Sequence, residues 1–427
     1  MFKLEEHGTD ARTESLAGVT TFLTMSYIIF VNPQILAASG MDKGAVTAAT
    51  CLAAALASLS MGLWANLPVA LAPGMGLNAF FTYTICLSMK VPWPQALGVV
   101  FWSGALNVAL TWTNVREMIV RAIPTALKRA IAIGIGLFLA FIGFQNMGLV
   151  AAHPVTLVTV GDLSKPAVLM SLAGLVVMAV LMAQKIRAAF LIGILSVSAV
   201  AFVTGLAPKP AALVGPPPSL APTFLQLDIL APLREPRLWG VIVASMFVDL
   251  FDTLGTLLAV GYAAKLVRED GEFPRIREAL QADSLATPIG SILGTSNTTS
   301  YIESAAGVES GGRTGLTAVV CGGLFLLGLF IAPLVTAVPG FATAPVLVLV
   351  GLLMMAEITR INFSDIAEGL PVFVTMLLMP LTYSISIGIG FGFMSHLLLH
   401  LCMGRARDIH PMMYAICALF LINLAMT

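Results

Sequence analysis

The chain has 427 residues, 58% of them apolar and only 10% charged, with 22 basic and 22 acidic residues and a net charge of zero. A soluble domain of ordinary make-up is about 45–50% apolar and about 25% charged, so this composition excludes a chain that must cover itself with a water-facing surface. The balanced charge offers nothing to nucleic acid or another polyanion.

Residues 1–15 are polar and charged, and the first apolar run is too long for the h-region of a signal peptide. A membrane-crossing helix needs about 20 mostly apolar residues. On that ruler, crossings are expected at 16–38, 45–65, 68–89, 94–113, 129–149, 166–184, 188–206 and 238–262. Further runs follow at 280–294, 298–312, 314–337, 342–358, 366–384 and 386–403, making fourteen, of which 280–294 and 298–312 are short for a full crossing. A last stretch, 411–426, either spans or lies in the interface. The interruption at 207–237 is rich in proline (Pro208, Pro210, Pro216, Pro217, Pro218, Pro222) and separates seven runs from seven. An odd number of crossings per half inverts the second half relative to the first. Laying 16–36 on 238–258 sets Pro33 opposite Gly255, one helix breaker against another.

Basic residues orient the chain, because inner loops carry the positive excess. With the N-terminus inside and fourteen crossings, sixteen of the 22 fall on the inner side, including Arg116, Arg121, Lys128, Arg129, Lys265, Arg268, Arg313, Arg360, Arg405 and Arg407. Only Lys43, Lys90, Lys165, Lys209, Arg234 and Arg237 fall outside. The expectation is an integral protein of the cell (inner or plasma) membrane with a cytoplasmic N-terminus. The five cysteines (Cys51, Cys86, Cys321, Cys402, Cys417) stand singly in or beside apolar runs, without metal-ligand spacing. They read as apolar packing, with no disulfide and no metal site.

Two runs are broken. The third contains Pro73, Gly74 and Gly76 within Leu71-Ala-Pro-Gly-Met-Gly-Leu-Asn78, and the tenth is preceded by Gly294-Thr-Ser-Asn-Thr-Thr-Ser-Tyr301. Broken backbone is tolerated in hydrocarbon only where it lines a cavity or is buried in protein. Two breaks at matching positions of the two halves point to a transporter's binding site; the alternative is that the glycines serve close helix packing. Acids fall in the same places. Asp249 and Asp252 lie in the eighth run and Glu303 in the tenth, and each such carboxylate costs about 2.5–3.5 kcal/mol at the centre of a bilayer. Positions three and four apart share a helix face, which sets Asp249, Asp252 and Thr256 together. Asp249 either serves function or pairs with a neighbouring helix; Asp283 is either a helix-start residue or a further proton site. Glu309 and Arg313 read as structural or gating residues, Glu357 and Arg360 as a surface pair. The histidines (His7, His153, His396, His400, His410) are scattered and take no role.

These residues carry a resemblance. The segments APGMGLNAFF (72–81), FDTLGT (251–256) and NTTSYIESAAGVESGGRTGLT (297–317) resemble the nucleobase–ascorbate transporter family, also called nucleobase:cation symporter family 2. Within it they resemble the azaguanine-like branch of adenine/guanine/hypoxanthine permeases. The resemblance covers essentially the whole chain. It implies an all-α membrane fold of fourteen segments in two inverted repeats of seven, with a short strand and a half-helix in segments three and ten. It also implies a core domain (1–113 and 238–337) and a gate domain (114–206 and 338–427), with 207–237 as an external linker. The family's acid in segment eight, in a Glu-x-x-Gly pattern, matches Asp252 followed by Gly255; its Tyr-x-acid element in segment ten matches Tyr301-Ile302-Glu303; its asparagine in segment three matches Asn78. An aspartate stands in place of the longer glutamate, and Ile302 in place of a glycine of the uracil carriers. The fold's members often dimerise through the gate domain, so a homodimer is implied.

The chemistry has a reason. A purine presents N–H donors and ring-nitrogen acceptors along its edge, and a carboxylate accepts two adjacent N–H bonds. Aromatic residues such as Tyr27, Phe80 or Tyr301 can cover its face. The sequence therefore points to a secondary transporter importing purine nucleobases by proton symport, with an elevator-like motion of the core. Asp252, Glu303, Asn78, Tyr301, Phe80 and Tyr27 are its candidate substrate residues, and Asp249, Asp252, Asp283 and Glu303 its candidate proton sites. The rivals are an anion carrier of sulfate or bicarbonate type on the same fold, or a uracil/xanthine carrier. A channel would show a pore-lining ring motif. No HExxH, GxSxG or Walker loop is present, so neither enzyme, cofactor nor ATP-driven pump is expected.

Overall fold

The computed structural model describes residues 2–113, 122–264, 266 and 273–426; Arg116, Arg121, Lys265 and Arg268 lie outside the described residues. The described helices run α1 (Ala11–Met25), α2 (Ile28–Ala37), α3 (Lys43–Ser60), α4 (Met75–Ala79), α5 (Trp93–Trp112), α6 (Thr125–Asn146), α7 (Pro166–Ala183), α8 (Ala189–Thr204) and α9 (Ala231–Arg234). They continue with α10 (Arg237–Ala263), α11 (Ile276–Leu293), α12 (Ser304–Glu309), α13 (Gly315–Gly328), α14 (Ala332–Ala337), α15 (Gly340–Met354), α16 (Ile366–Thr382), α17 (Ile385–Cys402) and α18 (Pro411–Met426). Four short strands, β1 (Leu71–Pro73), β2 (Val150–His153), β3 (Leu157–Val160) and β4 (Thr298–Ser300), form two antiparallel pairs, β1 with β4 and β2 with β3.

Each of the fourteen expected runs contains at least one of these elements, and 411–426 is itself helical. Among the described residues, eight helical stretches are long and apolar enough to cross a membrane. The differences from the sequence reading are local. The first run breaks at Ser26–Tyr27, and the run expected at 280–294 begins four residues earlier, at Ile276, giving α11 eighteen residues. The β2–β3 hairpin was not expected. Its alternation of Val, Ala, Leu and Thr is a strand signal, and its turn is held by His153, whose Nδ1 lies 3.3 and 3.2 Å from the Val155 and Thr156 amides.

Small caps set the helix ends. Asp10 accepts from the Arg12 and Thr13 amides at the start of α1, and Asp42 from the Ala45 amide at the start of α3, satisfying N–H groups that have no partner inside the helix. Gly294, at φ +99°, ends α11 in the left-handed conformation that glycine adopts without strain. Helix contacts run mainly within two sets. In one, α6 packs on α15 and α16, α16 on α17, and α7 on α8 and α15. In the other, α5 and α3 pack on α11, and α1 and α3 pack on α13. The α6–α15 crossing is close because Gly136 faces Gly351, and a Cβ on either would collide with the other's carbonyl. The proline-rich connection is fastened to the second set: the amides of Leu225 and Asp228 bond the carbonyls of Ile292 and Pro94, both at 2.9 Å, and the Gly215 amide bonds the Phe330 carbonyl at 2.9 Å.

One buried acid ties the start of α1 to the loop before α13. Glu14 is fully buried and accepts from the Arg313 amide (2.8 Å), the Thr314 amide (3.1 Å) and the Thr317 hydroxyl (2.5 Å). Arg313 itself donates to the carbonyls of Val308 and Gly312, so both residues brace the loop between α12 and α13. Replacing Glu14 by Ala orphans two amides in a buried site and should lower stability by about 2–3 kcal/mol. Thermal unfolding of the purified variant in detergent reads this as a clear drop in midpoint; an unchanged midpoint would refute the bracing role.

Candidate functional site

The third and tenth runs meet where each is broken. Leu71, Ala72 and Pro73 of β1 pair with Ser300, Thr299 and Thr298 of β4. The Gly74 amide bonds the Asn297 carbonyl (2.8 Å), and the Tyr301 amide bonds the Ala70 carbonyl (3.0 Å). Side chains serve the backbone groups that the pairing leaves over. Ser58 Oγ accepts from the Leu71 amide and donates to its carbonyl, and Ser304 Oγ accepts from the Ala70 amide. On the other strand Thr287 Oγ1 accepts from the Thr298 amide, and Asp283 accepts from the Ser300 amide and hydroxyl at 3.0 and 2.9 Å. The Tyr301 hydroxyl crosses back to the Pro73 carbonyl at 2.5 Å.

Beside the crossing lies a small cavity of about 90 Å³. Its lining comprises Asp252 and Thr256 of α10, Gly74 to Gly76, Thr299 to Glu303, Tyr27, and Val350 and Met354 of α15. The two carboxylates are held by hydroxyls: Thr299 Oγ1 donates to Asp252 Oδ2 at 3.1 Å, and the Tyr27 hydroxyl donates to Glu303 Oε1 at 2.6 Å. Tyr27 is fully buried and packs edge-to-face on Phe190 of α8, with centroids 5.0 Å apart. Among the described residues, no lysine, arginine or histidine lines the pocket.

The Permease family model, of the xanthine and uracil permease type, matches residues 12–422. The chain belongs to the nucleobase/ascorbate transporter family. Adenine permease AdeP of Escherichia coli is 45% identical over 99% of this chain and 95% of its own length. Guanine/hypoxanthine permease PbuG of Bacillus subtilis is 44% identical over 99% and 98%. Among solved structures, the transmembrane domain of the cyanobacterial bicarbonate transporter BicA superposes with a TM-score of 0.68, covering 88% of this chain and 97% of that one at 16% identity. Murine Slc26a9, an anion transporter in an inward-facing state, gives 0.66 at 9% identity, over 91% and 68%. At such identities these two establish the fold alone. This family consists of transporters and not enzymes.

Of the residues singled out in this family member's sequence, Asp252, Glu303, Tyr301 and Tyr27 come together in the pocket. Asn78 and Phe80 stand behind it. Asn78 is fully buried and donates to Asn32 Oδ1 at 3.0 Å, and Asn32 in turn donates to Thr50 and Thr295, so this amide joins segments and does not face the cavity. Phe80 is packed in the apolar core, because the half-helix starting at Met75 turns it away from the crossing. Asp249 does not share the outlook of Asp252; its Oδ2 accepts from Asn107 (3.0 Å) and Thr287 (3.1 Å) on the far side of α10. Asp283 lies inside α11, not at its start, and accepts from Thr253 at 2.7 Å as well as from Ser300. Thr256, set on the face of Asp252 by its spacing, lines the pocket as well. Thr299 is a pocket residue the sequence does not single out; threonine in an apolar run is too common a packing residue to stand out.

The Tyr301 hydroxyl links the two broken segments beside the pocket. Tyr301→Phe leaves the Pro73 carbonyl without this donor and should raise the apparent KM for the transported base several-fold at unchanged membrane level. Uptake kinetics beside quantitative immunoblotting check this, and an unchanged KM would show that the bond has no part in shaping the pocket.

Proposed function

We propose that this chain imports purine nucleobases of the adenine, guanine and hypoxanthine type across the cell membrane, as a secondary active carrier. The observation that carries the reading is the pocket itself: two carboxylates and two tyrosines, with no basic side chain, beside a pair of strands in the middle of two broken segments. A base edge rich in N–H donors suits Asp252 and Glu303, which are acceptors when ionised. Val350 and Met354 supply an apolar wall for the flat ring. The similarity to adenine and guanine/hypoxanthine permeases supports the same substrate class. The shared fold of anion transporters favours the rival reading, but an anion entering an acid-lined and base-free site meets repulsion without a counter-charge.

On this proposal residues 1–113 and 238–337 form the core domain that carries the site, and 114–206 and 338–427 the gate domain against which it slides. The N-terminus is cytoplasmic, and a homodimer through the gate domain fits the same scheme. The packing of helices mainly within two sets supports the division. The coupling ion on this reading is a proton, taken up by Asp252 or Glu303, because both are acids without a basic partner at the pocket.

Asp252→Asn and Glu303→Gln should each reduce uptake of labelled adenine, guanine and hypoxanthine to near background with protein still in the membrane. Near-normal uptake by either variant would remove that residue from the substrate site. Accumulation should collapse on adding a protonophore and persist when sodium is replaced by choline. The opposite pattern would make sodium the coupling ion.

A further inference from the structure

A second cavity, of about 350 Å³, shares no residue with the acid-lined pocket. It lies where α6 and α16 begin and α17 ends, and Thr125, Asp365, Glu368, His396, His400 and Arg405 face it. Its walls carry both signs of charge. The positive charges are Arg405 and Arg129, the latter already engaged by Glu357 at 3.3 Å and by the Arg360 carbonyl at 3.0 Å. The His396 ring and the start of α6, where Pro124 provides no side-chain cap for the first helical amides, line the cavity with them. Of the acids, Asp365 gives one oxygen to the Ala367 amide (3.0 Å) and Glu368 one to the Asn362 amide (3.2 Å), which leaves each carboxylate a second oxygen. His400 Nδ1 lies 3.0 Å from the His396 carbonyl. A carbonyl only accepts, so Nδ1 carries a proton and donates it in this bond, and in the neutral ring Nε2 is then an acceptor.

A simple anion would meet two carboxylates here, and a simple cation two guanidinium groups. The matching ligand carries both charges a few bonds apart. Beside the cavity, α16 presents Ile366, Leu370 and Phe373 to the outside, 65%, 37% and 48% exposed. Their spacing of four and three puts them on one face of the helix. In a chain that spans a membrane, such a stripe lies against acyl chains.

We propose that this cavity binds a phosphate monoanion linked to a primary ammonium, as in the headgroup of an ethanolamine phospholipid. Arg405, His396 and the first amides of α6 take the phosphate. Asp365, Glu368 and His400 take the ammonium. The acceptors select a primary ammonium over a trimethylated one, since only the former has N–H groups to donate to a carboxylate or a ring nitrogen. The apolar stripe favours the lipid over a soluble phosphoethanolamine.

The test uses the full-length protein in nanodiscs that combine a constant fraction of phosphatidylglycerol with either phosphatidylethanolamine or phosphatidylcholine. Lipid retained after detergent extraction is read by native mass spectrometry. The expected result is several-fold greater retention of the ethanolamine lipid, falling to the choline level in both Arg405→Ala and Glu368→Gln. Equal retention of the two lipids, or unchanged retention in both variants, overturns the proposal. A thermal-shift arm in detergent separates the sources of the chemistry. A rise with soluble O-phosphoethanolamine supports the headgroup chemistry and shows the tails to be dispensable, whereas lipid retention without that rise supports the lipid. An equal rise with inorganic phosphate alone overturns the zwitterionic assignment. The readout is lipid binding, so failure here is separable from failure of the purine-transport reading.

Discussion

Hydrocarbon offers a backbone no hydrogen-bond partner, and each amide or carbonyl left open in it costs several kcal/mol. The segments that carry Pro73, Gly74 and Gly76 on one side and Gly294 to Tyr301 on the other cannot close their own bonds within a helix. Each supplies what the other lacks, through the pairing of β1 with β4 and the flanking bonds at Gly74 and Tyr301. The remaining backbone groups are met by Ser58, Ser304, Thr287 and Asp283. The pocket depends on this mutual repair. Thr299, which orients Asp252, is a strand residue, and Tyr301 and Glu303 follow directly after the strand. A change that frees either strand therefore disturbs both carboxylates at once, although they sit on different helices.

The same architecture serves proteins named as bicarbonate and anion transporters. What differs is the set of side chains around a backbone crossing that the fold holds in place. Here two acids, each steadied by a hydroxyl, give the cavity a negative character that the helical framework does not dictate. Asp249 and Asp283 have become fasteners: one joins α10 to α5 and α11, the other joins α10 and α11 to β4. Buried acids in one helix thus divide between a cavity and the packing behind it within a single turn.

The membrane-spanning organisation and both breaks were legible in the sequence because they rest on signals with a steep cost: long apolar runs, a proline with two glycines, and carboxylates where carboxylates are expensive. Asp252 and Glu303 stood out for the same reason; Tyr301 followed from the resemblance to a Tyr-x-acid element, and Tyr27 was one of several aromatics that could cover a ring. The rotation of a half-helix after a break was not. Once Gly74 releases the chain, nothing in the residues that follow fixes which way Asn78 and Phe80 face, and the structure turns both toward the protein interior. Glu14 escaped notice because it lies in a charged N-terminal stretch that looks solvated; only the fold brings the Arg313 and Thr314 amides to it. The β2–β3 hairpin was hidden between two apolar runs, where its alternation is brief. His396 and His400 lie four apart on α17, and their meeting with Arg405 and Glu368 depends on two other helices.

The proline-rich connection has a mechanical consequence. The Ala207 amide still bonds the Ala201 carbonyl of α8, and the next tie, at Gly215, is to the Phe330 carbonyl. Eight residues of chain between these two anchorages reach at most roughly 26–29 Å at about 3.3–3.6 Å each. Past Gly215 the loop is lashed to Phe330, Ile292 and Pro94. On the proposed movement of the core against the gate, this short segment is the tether, and its contour length is the greatest distance by which the two anchorages can part.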